Sequence, residues 1–130
     1  LTHQYKPLEV VGRTDVEISG IELDSRKCKP GTAFVAIRGT QADGHTYIEK
    51  AISLGAGCII CEHLPENPNP DVTYAVYGNT AEIVGPLATT FYGNPTKRMK
   101  LVGITGTNGK TTIATTLYNI IRRMGIKAGL

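Results

Sequence analysis

With 130 residues, 13.9 kDa, 41% hydrophobic and 19% charged side chains, the chain is apolar enough to build a core. At a net charge of only +3 it can bury enough surface to offset its ordering entropy, which argues against disorder. Its apolar runs are too short for a membrane-spanning helix, and its pI near 8.8 suits small anionic ligands better than nucleic acid, so neither membrane nor nucleic acid is an expected partner.

The chain opens at Leu1 without an initiating methionine, as a fragment would, and no basic region followed by an apolar stretch marks a signal peptide. An odd cysteine count (Cys28, Cys58, Cys61) without such a signal points to a reducing cytoplasm. Cys58 and Cys61 form a C-x-x-C near His63. The intervening Ile59 and Ile60 read as a strand, which sends positions three apart to opposite faces. Buried thiols are therefore expected rather than a metal or redox site.

In chain order, residues 16–23 read as a strand ending at Asp24-Ser25-Arg26, and Pro30-Gly31 punctuates the basic turn that follows. Residues 33–37 are a short buried strand. Beyond the loop Thr40-Gln41-Ala42-Asp43-Gly44-His45, the spacing of Tyr47, Ile48, Ala51, Ile52 and Leu54 predicts a helix face over 46–54, with Gly55 as its stop. Asp43 fits as the cap of that helix, and His45 as a packed or hydrogen-bonded loop residue.

Residues 58–62 and 72–77 are predicted strands flanking an exposed proline- and asparagine-containing loop. Asn79 and Glu82 carry the spacing of a capping box. The helix they open buries Ile83, Val84, Leu87, Ala88 and Phe91, and Pro86 predicts a kink or a late start. Gly93-Asn94-Pro95 ends it, and the basic 96–100 stretch reads as a linker. A strand is expected over 101–105. A helix follows from Lys110 to Met124, with Ile113, Leu117, Ile120 and Ile121 on its apolar face and Gly125 as its stop. The alternation of strand and helix predicts an α/β fold.

Between the last strand and helix lies Thr105-Gly106-Thr107-Asn108-Gly109-Lys110-Thr111-Thr112. Glycines let backbone N–H groups close on phosphate oxygens, and a helix N-terminus adds its positive dipole end. Lys110 supplies a point charge to the outer phosphates, and Thr111 a hydroxyl to Mg²⁺. The usual pattern has glycine five residues before the Gly-Lys pair; here that position is Ile104, so the loop is a variant.

This loop resembles the ATP loop of the Mur ligases, cytoplasmic enzymes that add amino acids to the peptidoglycan precursor. Leu23-Asp24-Ser25-Arg26 with Pro30-Gly31 and Phe34-Val35-Ala36 also resembles that family. So do Gly39-Thr40-Gln41-Ala42-Asp43-Gly44-His45 and Phe91-Tyr92-Gly93-Asn94-Pro95. The combination is most similar to the members that add the third stem-peptide residue, diaminopimelate or lysine, to UDP-N-acetylmuramoyl-L-alanyl-D-glutamate through an acyl phosphate. The member adding D-alanyl-D-alanine is the alternative within the family. Another P-loop kinase or NTPase, or a non-catalytic nucleotide-binding module, is the alternative outside it.

The resemblance implies a UDP-substrate-binding α/β domain with a mixed sheet over residues 1–99, then the first strand, loop and helix of a central ATP-binding domain over 100–130. It implies ATP contacts at Gly106, Thr107, Asn108, Gly109, Lys110, Thr111 and Thr112, with Thr111 toward Mg²⁺ and ATP as co-substrate. It implies contacts to the UDP portion at Leu23, Ser25, Thr40, Gln41 and Ala42. The implied partners are the UDP-N-acetylmuramoyl-dipeptide, ATP and an amino acid. The family's carbamylated lysine and metal-binding acid would lie beyond Leu130, so no catalytic residue is expected in these 130 and no turnover from them alone. On the bare residues, Asp24-Ser25-Arg26 reads equally as a capped turn satisfying its own backbone.

Overall fold

The computed structural model describes residues 5–40 and 42–130, which fall into two compact units divided between Pro95 and Thr96. The first holds five strands: β1 (Glu9–Val11), β2 (Gly20–Glu22), β3 (Thr32–Val35), β4 (Cys58–Cys61) and β5 (Thr73–Val76). They form one sheet in the order β1-β5-β4-β3-β2, parallel except for β1, which runs antiparallel to β5. Helices α1 (Ile48–Ser53) and α2 (Thr80–Phe91) follow β3 and β5, and 3-10 turns precede β3 and α1 at Ser25–Lys27 and Gly44–Tyr47.

Strand alternation splits the core into two layers. Phe34, Ile59, Cys61, Tyr74 and Val76 join Ile48 and Ala51 of α1 in one cluster. Ala33, Val35 and Ile60 join Ile83 of α2 in the other, with Cys58 packed against it. The two cysteines of the C-x-x-C therefore sit on opposite faces, as the strand reading requires. Burial pushes both thiols up to about 11, so they stay protonated and unreactive at neutral pH.

The capping expectations hold, with one change. Asn79 Oδ1 accepts the N–H groups of Ala81 and Glu82 at 3.0 and 3.3 Å, while the Glu82 carboxylate takes the Asn79 side-chain amide at 2.9 Å rather than its backbone N–H. Helix α2 starts at Thr80 and is continuous through Pro86, so the late start is not observed. Gly55 adopts φ +103° and a Cβ there would meet the Pro30 backbone nitrogen at 2.8 Å, so this stop requires glycine.

Other expectations need correction. The strand expected over 16–23 is paired only over Gly20–Glu22, where β3 lies alongside. Strand β1 was not legible: it is three residues long, and its pairing to β5 defines it. Tyr47, Leu54 and Phe91 are exposed, and Phe91 makes an edge contact with Tyr92 at 5.0 Å instead of joining the core.

The second unit contains a 3-10 turn (Pro95–Arg98) where a linker was expected, and one helix, α3 (Lys110–Arg123). Residues 101–105 enter no strand pairing among the described residues, contrary to the expected strand. A strand exists through the ladder it shares, and residues 96–130 offer it a helix and turns only. None of α3 is buried: Ile113 and Ile120 are more than half exposed. No helix among the described residues is long and apolar enough to cross a membrane.

Candidate functional site

Among the described residues, one cavity in each unit gathers residues expected from the sequence to bind a ligand. In the first, Asp24 caps the turn Ser25–Lys27 by accepting the Arg26 N–H at 3.0 Å. The Arg26 guanidinium closes back on the same carboxylate, Nη2 to Oδ2 at 2.7 Å and Nε to Oδ1 at 2.9 Å. That guanidinium, and then the Arg26 N–H, hold the Asp24 carboxyl down to about 2. The tripeptide is thus a self-satisfied capped turn, and it also presents Ser25 and Leu23 to a cavity of about 480 Å³.

The opposite wall comes from the loop before α1. Gly39 N–H donates to the Ala42 carbonyl at 2.9 Å and Gly44 N–H to the Ile37 carbonyl at 2.8 Å, closing a tight hairpin. A Cβ at position 44 would stand 2.7 Å from Ile37 backbone atoms, so the loop closes this far only with glycine.

Asp43 Oδ1 caps the turn Gly44–Tyr47 through the His45 N–H at 2.9 Å and takes His45 Nδ1 at 2.6 Å. The His45 N–H, and then its ring, hold the Asp43 carboxyl down to about 2. His45 Nε2 accepts the Glu62 N–H at 2.9 Å, which leaves Nδ1 as the ring nitrogen that donates to Asp43. His45 stacks on His63 with centroids 4.3 Å apart. Glu62 in turn accepts the Thr80 N–H at 3.0 Å, and the Thr80 hydroxyl reaches the Ala36 carbonyl at 2.8 Å. The hairpin is thereby tied to the end of β4 and the start of α2. Both nitrogens of His45 are committed to this scaffold, in line with the expected hydrogen-bonded loop residue.

Of the residues expected at the UDP portion, Leu23, Ser25 and Ala42 border this one cavity. Thr40 stands exposed at the hairpin tip and is not on its wall. Gln41 lies outside the described residues. Phe34, Ile37, Tyr47 and Lys50 also line the wall, and none of the four was expected at the site from the sequence. The i, i+3 spacing of Tyr47 and Lys50 was the available signal.

In the second unit, Gly106 has φ +148° and Gly109 φ +75°, conformations that the glycines permit. Gly109 caps α3 without a side-chain bond, which leaves the first N–H groups of the helix free for an anion. The Lys110 ammonium donates to the Gly106 carbonyl, folding over the loop. Lys110 and Thr111 border a cavity of about 270 Å³. The Thr111 hydroxyl is one suitable oxygen for Mg²⁺, and no group of three or more His, Cys, Asp or Glu suited to a metal occurs among the described residues.

One unit thus holds an α/β sheet with a cavity bordered by Leu23, Ser25 and Ala42, and the other a glycine-rich loop that opens a helix. Residues 17–92 match the model described as Mur ligase family, catalytic domain, and the chain belongs to the Mur ligase family. It is 58% identical over 94% of its length to a Phocaeicola vulgatus protein named UDP-N-acetylmuramoyl-L-alanyl-D-glutamate--2,6-diaminopimelate ligase, of which it covers 25%. It is 53% identical over 96% of its length to the Bacteroides thetaiotaomicron protein of the same name, covering 26% of it. The chain thus spans about a quarter of the length of these curated relatives. The crystal structure of the MurF ligase from Thermotoga maritima in complex with ADP aligns with a TM-score of 0.62 and 29% identity, over 85% of this chain and 25% of that one.

Proposed function

We propose that this chain is the substrate-nucleotide end of an ATP-dependent amide ligase of peptidoglycan precursor synthesis. In this reading residues 1–99 form the domain that grips the UDP portion of UDP-N-acetylmuramoyl-L-alanyl-D-glutamate, and 100–130 begin the ATP-binding domain. The observation that carries it is the convergence of Leu23, Ser25 and Ala42 on one cavity, in a chain so similar to relatives named for that substrate. Leu23 offers apolar surface to the base, and the Ser25 hydroxyl a donor or acceptor to uracil or phosphate.

At the second site the free N–H groups of α3 and the glycine loop take the phosphates of ATP, and Lys110 moves from the Gly106 carbonyl onto the outer phosphates. Phosphoryl transfer depends mainly on such positioning and charge neutralisation. The substrate carboxylate attacks the γ-phosphorus and ADP leaves. The amine of the incoming amino acid then attacks the acyl phosphate, releasing phosphate and leaving an amide. Mg²⁺, when bound, adds positive charge beside the phosphates, and Thr111 is the residue here that would hold it. The relatives' names favour diaminopimelate over lysine as the amino acid, and over D-alanyl-D-alanine addition. A cytoplasmic location follows from this chemistry.

Calorimetric titration of the 130-residue chain with UDP-N-acetylmuramoyl-L-alanyl-D-glutamate tests the first site, and saturable binding is expected. No heat from folded protein would remove the UDP reading. In the protein that carries this chain, ADP release should require the UDP-dipeptide and diaminopimelate together. Release with neither diaminopimelate nor lysine would remove the ligase reading.

A further inference from the structure

The charges around the first cavity are unequal. Asp24, Arg26 and Lys50 all border it. Asp24 and Arg26 cancel: the guanidinium grips the carboxylate through both oxygens, at 2.7 and 2.9 Å. Lys50 is exposed and has no carboxylate within 4.0 Å among the described residues. Its neighbour Glu49 borders a different cavity, on the side of α1 that meets residues 65–69. The first cavity is therefore left with one uncompensated positive charge, carried on a flexible stem.

Beside the Ser25 hydroxyl and the Asp24–Arg26 pair, the same cavity carries apolar and aromatic side chains. Leu23 is 56% exposed, Tyr47 is 45% exposed, and Phe34 and Ile37 lie beneath. Tyr47 and Lys50, three residues apart, share the face of the 3-10 turn and α1 that meets the cavity. Apolar and aromatic side chains sharing a cavity with one uncompensated ammonium fit a ligand with an uncharged ring at one end and a concentrated anion at the other.

We propose that Lys50 is the specificity-determining cation of this cavity: its ammonium engages the diphosphate, and through it the site distinguishes UDP from uridine. The inference rests on reading the cavity as the UDP site. Arg26 does not serve in its place, because its guanidinium holds the turn Ser25–Lys27 in shape through Asp24. An ammonium suits the task as a point charge that follows the phosphates, with no fixed fork geometry to satisfy.

The test is calorimetric titration of UDP and of uridine into the wild-type chain and into Lys50→Gln, Lys50→Glu and Lys50→Arg, at low and at high salt. Removal of one charge-assisted contact is expected to weaken UDP binding about ten-fold in Lys50→Gln. Lys50→Glu should weaken it further and Lys50→Arg should largely restore it, while uridine affinity stays the same throughout. The salt dependence of UDP binding should fall in Lys50→Gln. Circular dichroism and urea midpoints matching wild type keep a loss of binding from being a loss of fold, and Lys50→Arg is the variant that retains both charge and surface exposure. Wild-type binding of UDP with no difference in Lys50→Gln or Lys50→Glu would overturn the role of Lys50 alone. Equal loss of uridine and UDP would overturn it too, since the residue would then shape the cavity rather than read the diphosphate. Absence of UDP and uridine binding by the folded wild-type chain would overturn the cavity reading itself.

Discussion

The two units of this chain are built on opposite terms. Residues 5–95 close a sheet between two helical layers, with Phe34, Ile59, Cys61 and Tyr74 at 1% exposure or less. Residues 96–130 carry the most recognisable motif of the sequence on a helix with no buried residue. The contrast separates two kinds of information. A phosphate loop is written locally, in glycines that permit positive φ and in a helix start that exposes N–H groups, so its shape needs little core. The first cavity is written non-locally: its walls come from the end of β2, the 37–44 hairpin and α1, and the packed sheet brings them together.

The largest effect should come from the core. Ile59→Ala empties a fully buried site beneath α1 and should cost about 2–5 kcal/mol in urea unfolding of the first unit. Ile120→Ala, on the exposed face of α3, should change unfolding by no more than about 0.5 kcal/mol. Equal costs would erase the distinction between the units.

A smaller effect is expected at the scaffold of the first site. His45→Ala leaves the Glu62 N–H without its acceptor and Asp43 without its ring partner, and should destabilise the first unit by about 1–3 kcal/mol. The UDP-precursor affinity should fall with it, as the hairpin loosens. Unchanged stability and affinity would show that the hairpin holds its shape without the histidine.

The pH dependence should be gentler still. Asp24 and Asp43 each have a carboxyl held down to about 2 by hydrogen bonds within their own turns. A depressed carboxyl adds stability that is complete above the ordinary carboxylate range near ~4 and is lost as pH falls through the folded value. Urea midpoints of the first unit should therefore drop between about pH 4 and pH 2, and Asp43→Asn should flatten part of that fall. A midpoint that does not move over this interval would contradict the capped-turn geometry. Least of all should the thiols respond: with Cys58 and Cys61 pushed up to about 11, alkylation at neutral pH should be slow until the sheet unfolds.

Much of the first unit was legible because its elements are locally consistent. The β-branched and aromatic run before Asn79 is β5, and the capping residues 79 and 82 mark the start of α2. Legibility stopped where pairing decides. Glu9–Val11 is a strand only because β5 runs beside it, residues 16–19 lack the partner that Gly20–Glu22 have, and 101–105 extend without any. The site divides in the same way. Ser25 and Asp43 were readable as turn and cap residues. That Ser25 would share a cavity with Ala42 and Lys50, and that Thr40 would stand outside it, depends on the sheet and on Gly44 packing against Ile37.

The most direct measurement is amide-shift mapping by heteronuclear NMR of the isotope-labelled 130-residue chain as UDP is added. Perturbations concentrated at Leu23, Ser25, Ala42, Tyr47 and Lys50, saturating together, are the predicted result. Shifts confined to residues 106–112, with those five amides unmoved, would contradict the assignment of the uridine nucleotide to the first unit.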